Sequence, residues 1–97
     1  MTYTVHPAAE QDIADASDSD KERAGTEVAR RFLAEVDRVA NLVSRNPEGG
    51  APLAKWRRVF HLKVFPYSLV YRSLAGGIQV LVVRHQHRRP SFGVGRR

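Results

Sequence analysis

Residues 78–90 read IQVLVVRHQHRRP, and this stretch decides the fold of the chain. Its first six residues are almost all aliphatic or β-branched, which is the composition of a strand buried on both faces. Most of the remaining residues are cations or imidazoles, and no acidic side chain neutralises them. The pattern predicts a buried strand that holds a basic cluster rigidly at one edge of a sheet. We interpret that edge as the working surface of the protein.

Charge is divided unevenly along the 97 residues. The chain up to Glu48 holds all ten acidic residues and six Lys or Arg, formally −4, whereas residues 49–97 hold ten Lys or Arg and no acid, formally +10. One interpretation is a surface that happens to be basic. The other is a polyanionic partner, either nucleic acid or an acidic protein segment. Neutralising phosphates would supply affinity without sequence specificity.

Composition sets the broad class. An apolar content of 42% suffices for one modest core, so we expect a single domain over residues 1–92, with residues 93–97 as a mobile basic tail. The chain has no cysteine, which rules out disulfides and thiolate metal sites. It shows no signal-peptide pattern and no apolar run near the roughly 20 residues that span a bilayer. We therefore expect a soluble cytoplasmic protein without membrane association.

Two helices are predicted in the first half. The first begins near Pro7, because proline is well tolerated at the first helical position, and it ends at Gly25. Residues 17–23 offer no apolar side chain, so this helix either frays there or crosses open solvent. The second helix has Thr26 as its expected N-cap. Its apolar residues recur at spacings of four, four, three and four, so they share one face of the helix. They are Val28, Phe32, Val36, Val39 and Val43.

Three strands follow, at residues 59–64, 67–72 and 78–83. The first of them has Phe60, Leu62 and Val64 on its core face, and residues 75–77 form a hairpin turn. With a short strand at residues 3–5, the order becomes β-α-α-β-β-β. The sequence thus predicts an α+β fold in which a helical hairpin packs on one face of a small, mainly antiparallel sheet.

Basic and imidazole side chains of the second half form the predicted binding surface. Its members are Arg58, Lys63, Arg72, Arg84, His85, His87, Arg88 and Arg89. Such groups bind phosphate or an acidic partner, and histidine suits acid–base chemistry near neutral pH. The alternative is that Arg88 and Arg89 are solvated tail charges and that His85 is a hydrogen-bonded histidine at a strand end.

Neither a metal nor another cofactor is expected. The two histidines at 85 and 87 share a strand face, but this half of the chain has no third ligand such as Asp, Glu or Cys. There is no glycine-rich phosphate loop and no nucleophile elbow. Trp56 either stacks a base or packs against a neighbouring strand, and packing is our favoured interpretation.

Three segments, taken in order, resemble the RelE/ParE toxin superfamily: YTVHPAAEQDI at residues 3–13, FPYSLVYR at residues 65–72 and HQHRRP at residues 85–90. The resemblance covers nearly the full chain and implies the same order of elements. It implies a plasmid-stabilisation toxin of a type II toxin–antitoxin module, held inactive by a small cognate antitoxin that wraps around it. A cationic second half suits an acidic or amphipathic partner of that kind.

The superfamily contains two mechanisms. RelE-like members cut mRNA on the ribosome, with an arginine before the Leu-Val-Tyr of the third strand and a tyrosine or histidine near the C-terminus. ParE-like members inhibit DNA gyrase and lack that nuclease set. Here Ser68 occupies the arginine position, and the terminal tyrosine would fall near Phe92 or Gly93. The resemblance therefore favours gyrase inhibition and leans away from an enzyme.

The alternative is a ribosome-dependent endoribonuclease. In that case the acid or base would be His85 or His87, and phosphate would be held by Lys63, Arg72 and Arg88. One departure affects both alternatives: where family members usually bury an apolar residue at the end of the first helix, this chain has Ser19 or Asp20.

Overall fold

The computed structural model describes residues 2–86, 92–93 and 95–96. In chain order the elements are β1 (Thr2–Val5), α1 (Pro7–Ala24), α2 (Thr26–Arg45), a short 3-10 helix (Pro47–Gly49), β2 (Ala51–Pro52), β3 (Arg57–His61), β4 (Tyr67–Leu74) and β5 (Gly77–His85). The predicted α+β class is confirmed. The two-residue strand β2 is an addition that the sequence pattern did not predict.

The five strands form one sheet in the order β1-β5-β4-β3-β2. Strand β1 pairs with β5 in parallel, and the other neighbouring pairs are antiparallel. Strand β5 lies between β1 and β4, with α1 and α2 packed on one face of the sheet. Its run from Ile78 to Val83 is buried apart from the partly buried Gln79, which explains why this segment is apolar without alternation.

Helix α1 begins at Pro7 and continues through the polar stretch to Ala24. The side chain of His6 caps its start, because its Nδ1 accepts a hydrogen bond from the Ala8 N–H at 3.0 Å. Gly25, with φ 96°, both ends α1 and precedes the first residue of α2. The prediction of Thr26 as N-cap is wrong, because Thr26 is already inside the helix and Gly25 occupies the cap position.

Helix α2 supplies the apolar layer that covers the sheet, as its spacing predicts. The side chains of Phe32, Val36, Val39 and Val43 are buried in the main core. The Phe32 ring lies 5.1 Å from the ring of Tyr67, centroid to centroid. Such tilted aromatic contacts add to the stabilisation that burial alone provides.

Strand β3 differs from its predicted range of residues 59–64. It starts at Arg57 and ends at His61, and Val64, predicted to be core, is 86% exposed with φ 72°. A tertiary contact turns the chain early: the Lys63 N–H donates to a carboxylate oxygen of Glu35 on α2, at 2.7 Å. Strand alternation therefore stops before Val64.

The segment between α2 and β3 is anchored by Tyr71 of β4. Its side chain is fully buried, and its hydroxyl donates to the Pro47 carbonyl at 2.7 Å and accepts from the Gly50 N–H at 2.9 Å. A Cβ at Gly50 would lie 2.6 Å from that hydroxyl oxygen, so only glycine fits there. Through these two bonds the core sets the position of β2.

Candidate functional site

The face of the sheet opposite the helices, called here the open face, carries the basic residues that the register brings together. Its apolar floor is a second, smaller core built from Val70, Leu81 and Val82. Because side chains alternate along a strand and paired residues point to the same side, the same face carries Arg57, His61, Ser68, Arg72 and Arg84. None of the strands from β2 onward contains an acidic residue.

One row across the open face contains a histidine and a serine in contact. His61 pairs with Ser68, which in turn pairs with Arg84. The His61 Nδ1 and the Ser68 Oγ lie 2.6 Å apart, within hydrogen-bond distance. Ser68 is buried and His61 is exposed, so the imidazole is the member of this pair that solvent or a partner reaches.

A second row at the other end of β3 and β4 is richer in charge. Arg57 pairs with Arg72, and the Arg72 Nε–H donates to the side-chain oxygen of Gln79 at 2.9 Å. Burial, followed by the positive charge of Arg57, lowers the pKa of Arg84 from its usual value. Burial is the larger cause of this lowered pKa, and the smaller contribution of Arg57 reflects two like charges on the same face of the sheet.

Beside this second row lies a tight turn, residues 54–57, called here the basic turn. The Arg57 N–H donates to the Ala54 carbonyl at 3.4 Å, and both central residues, Lys55 and Trp56, have φ 60°. Positive φ at both central positions is the requirement of a type I′ turn, for which Asn-Gly is the preferred pair. With Lys-Trp in its place, each left-handed residue costs about 1 kcal/mol or more.

Trp56 does not pack against a strand. Its side chain projects from the basic turn and is 94% exposed, so the favoured packing interpretation is wrong. The reason is the conformation of the turn, which directs the residue away from the sheet although the neighbouring Arg57 is buried. A cleft of about 490 Å³ beside the indole is lined by residues including Lys55, Arg57 and Arg72.

Two members of the predicted surface lie elsewhere. Arg58 is on the helix-covered side of β3, where its guanidinium donates to the Gly50 carbonyl at 2.8 Å. Lys63 follows the opposite end of β3 from Arg72 and borders a shallow depression against α2. The structure therefore does not bring Lys63 and Arg72 together.

His85 lies at the end of β5 on the side of the helices. Its imidazole meets the ring of Tyr67 edge to face, with centroids 5.1 Å apart. Both side chains line a cleft of about 210 Å³ that also includes Asp12 and Ser19 of α1. His85 and Arg84 consequently face opposite sides of the sheet. His87, Arg88 and Arg89, the rest of the predicted cluster, lie outside the described residues.

Asp12 connects α1, β5 and the segment near the C-terminus. Its carboxylate accepts the Val83 N–H at 3.1 Å and forms a two-point ion pair with the guanidinium of Arg96. Arg96 also donates to the Leu81 carbonyl at 3.0 Å and lies over the ring of Phe92. The mobility of residues 93–97 stays a prediction, although Arg96 within that range makes these contacts.

The described part of the chain contains neither a metal-binding cluster nor a membrane-spanning helix. Within the described ranges, no three His, Asp or Glu side chains are grouped so that they could hold a metal ion. Among the helices that the structure describes, none is long and apolar enough to cross a membrane.

Comparison with known proteins decides the family. The model of the family described as "ParE toxin of type II toxin-antitoxin system, parDE" matches residues 3–90. This chain belongs to the ParE toxin family. Among curated relatives, Toxin ParE2 of Mycobacterium tuberculosis, recorded for strains CDC 1551 and H37Rv, is 31% identical over 87 residues, which is 90% of this chain and 83% of the relative.

The fold of this ParE-family chain also matches a solved structure. A chain from the "Chromosomal ParDE TA system from P. aeruginosa" superposes with a TM-score of 0.76 at 19% identity, covering 88% of this chain and 95% of the other. At that identity the match establishes the architecture, namely two helices on a mixed five-stranded sheet.

Sequence reasoning missed His61 and underrated Trp56. For His61 a signal was present, because it alternates with the apolar Phe60 and Leu62 and so had to lie on the open face. For Trp56 there was no local signal. Its exposure follows from two consecutive positive φ angles, which nothing in the pair Lys-Trp predicts.

Proposed function

We propose that this ParE-family chain inhibits DNA gyrase and is neutralised by a small cognate antitoxin. The observation that carries the proposal is the match of the ParE family model to residues 3–90. The open face supports it as well, because Ser68 is buried beneath His61 at the position where a RelE-like nuclease would present an arginine. The protein would act in the cytoplasm, where gyrase and its DNA are found.

The docking surface for the target is proposed to be the basic part of the open face, with Arg72 and Arg84 at its centre. Charge supports this assignment, because the strands around Arg72 and Arg84 contain no carboxylate. Positive potential raises the rate of encounter with an acidic or DNA-bound target and makes that rate sensitive to salt.

A supercoiling assay with purified gyrase and relaxed plasmid tests the proposal. The toxin should leave the plasmid relaxed, and the product of the neighbouring reading frame should restore supercoiling when added first. The variant Arg84→Gln should lose inhibition. As the matched control, Arg30→Gln removes the same charge from an exposed site on α2 and should inhibit normally. Unchanged supercoiling at excess wild-type toxin would refute the proposal.

An antitoxin partner is proposed on two grounds. The structural neighbour comes from a ParDE toxin–antitoxin system, and the acid-free second half of this chain is complementary to an acidic or amphipathic segment. Co-expression with the adjacent reading frame, followed by affinity purification of the toxin, should yield a stable hetero-oligomer. Recovery of the toxin alone would count against this partner.

A second candidate is the ribosome-dependent endoribonuclease, and one observation favours it: the exposed His61 imidazole lies in a row with Arg84 on a cationic face. From the sequence alone, the acid or base of such a nuclease is predicted to be His85 or His87. Primer extension on translated mRNA after induction should then show new 5′ ends within codons. These ends should disappear in His61→Ala or in His85→Ala, depending on which histidine acts, and gyrase should be unaffected.

A further inference from the structure

The basic turn presents an aromatic side chain in a way that folding alone does not explain. Trp56 is the one tryptophan in the sequence, and its side chain is 94% exposed. Tryptophan is a large apolar residue that proteins usually bury at least in part, and it is enriched among residues that dominate binding interfaces. A nearly fully exposed tryptophan therefore indicates a contact with another molecule.

The backbone conformation of the basic turn also indicates a binding function. Lys55 and Trp56 both have φ 60°, in a turn type that Asn-Gly would form without strain. Strained backbone is retained mainly where it serves a function. This observation is independent of the exposure of the indole, since a strained turn could equally well have been buried.

The surroundings of the indole define the chemistry of its ligand. Two clefts, of about 490 and 310 Å³, border Trp56, and both are also lined by Lys55, Arg57 and Arg72. The smaller cleft extends to Arg96. Volumes of this order are typical of small-molecule sites. A flat aromatic face between several cations is the arrangement that binds unpaired bases and their phosphates.

We propose that the basic turn binds single-stranded DNA. The Trp56 indole stacks on an unpaired base, while Lys55 and Arg72 hold the phosphates on either side of it. Double-stranded DNA is disfavoured because its bases are already stacked on one another. An acidic peptide would engage the cations but would leave the exposed indole without a partner. The choice of DNA over RNA rests on the proposed function, since gyrase acts on DNA.

Intrinsic fluorescence reports on this site directly, because no other tryptophan contributes to the signal. Titration with an oligothymidylate of about 12 nucleotides should quench the emission, since single-strand binding sites are of that size and stacking brings a base against the indole. An abasic oligonucleotide of equal length keeps the phosphates and should bind about tenfold more weakly without quenching. With two phosphate contacts, log K should fall against log[salt] with a slope of about −1.4.

Variants separate binding from folding. The double variant Lys55→Asn/Trp56→Gly relaxes the turn, so it should be at least as stable as the wild type and yet bind the oligonucleotide at least about tenfold more weakly by fluorescence anisotropy. Arg72→Gln should reduce the salt slope by about 0.7. Arg30→Gln, on the far layer of the molecule, should change neither affinity nor slope.

Four results would overturn the inference. They are no change in fluorescence with the oligothymidylate, equal affinity for the abasic strand, tighter binding of RNA of matching sequence, and tighter binding of an oligoglutamate peptide. The supercoiling assay keeps this inference apart from the proposed function. A toxin that inhibits gyrase but does not bind the oligonucleotide refutes the DNA site alone, whereas one that binds the oligonucleotide without inhibiting gyrase refutes the proposed target alone.

Discussion

Replacing Tyr71 by phenylalanine would remove one oxygen atom from the interior and test what holds β2 and the basic turn in place. The hydroxyl donates to the Pro47 carbonyl at 2.7 Å and accepts from the Gly50 N–H at 2.9 Å. Burial raises the pKa of Tyr71, so the phenol is neutral at physiological pH and can serve in both roles. Tyr71→Phe therefore breaks two hydrogen bonds at once.

The two hydrogen-bond partners of Tyr71 contribute unequally to the loss of stability. A typical hydrogen bond contributes about 1 kcal/mol net, and a buried donor left without a partner costs about 1–3 kcal/mol. Gly50 is buried, so its N–H becomes an unsatisfied donor, whereas the partly exposed Pro47 carbonyl can turn to water. We expect the free energy of unfolding to fall by about 2–3 kcal/mol, a large share of the roughly 5–15 kcal/mol of an ordinary domain.

Urea unfolding followed by circular dichroism measures this loss. The midpoint should fall with little change in the m-value, and the melting temperature should drop by at least about 8 °C. Tyr3→Phe is the matched control, because the Tyr3 hydroxyl makes one hydrogen bond, to Asp37, at a partly buried site, and its loss should cost only about 1 kcal/mol at neutral pH. A Tyr71→Phe protein within about 0.5 kcal/mol of the wild type would refute the reasoning.

Three further variants probe contacts of α1 and of the edge strand β1. Burial first, and then the hydrogen bond to Asp37, raise the pKa of Tyr3 to about 12. The neutral Tyr3 side chain therefore stabilises the fold fully below pH 10, and this stabilisation is lost as pH rises to 12. The melting temperature of Tyr3→Phe should consequently depend less on pH over that interval than that of the wild type. Asp20 is buried; its Oδ1 accepts from the exposed Arg23 at 3.1 Å, but its Oδ2 has no hydrogen-bond partner among the described residues. Because an exposed ion-pair partner contributes little and the unsatisfied oxygen is costly, Asp20→Leu should raise the free energy of unfolding by about 1 kcal/mol, and a destabilised variant would contradict this. Asp12→Asn weakens the ion pair to Arg96 and should lower the free energy of unfolding by about 1–3 kcal/mol, as measured by urea unfolding. An unchanged free energy of unfolding would show that the pair is dispensable.

Local patterns were sufficient for the elements themselves. The apolar spacing from Phe32 to Val43 identified the face of α2, because a helix with one apolar stripe has a single way to bury it. The glycines at 76 and 77 marked the hairpin before β5 in the same way, since Gly76 has φ 80°. These signals are local, and nothing elsewhere in the fold overrode them.

Other positions depended on contacts between distant segments. Val64 fits a strand by alternation, but Glu35 on α2 binds the backbone at Lys63 and ends β3 early. Asp20 is polar and yet buried, because α1 continues past it to Ala24 although residue 20 has no apolar side chain. A pattern within one segment carries no information about a partner 28 residues away.

The same distinction applies to the candidate site. By itself the sequence determined that this chain is basic throughout its second half and that a buried strand would carry part of that charge to an edge. Only the tertiary structure decided which charges meet. Strand register set Arg57 beside Arg72 and His61 beside Ser68, and it left Lys63 and His85 on other surfaces. Two left-handed residues placed Trp56 in solvent. Net charge is a sum over residues, whereas a binding site depends on register and backbone conformation, which only the folded chain defines.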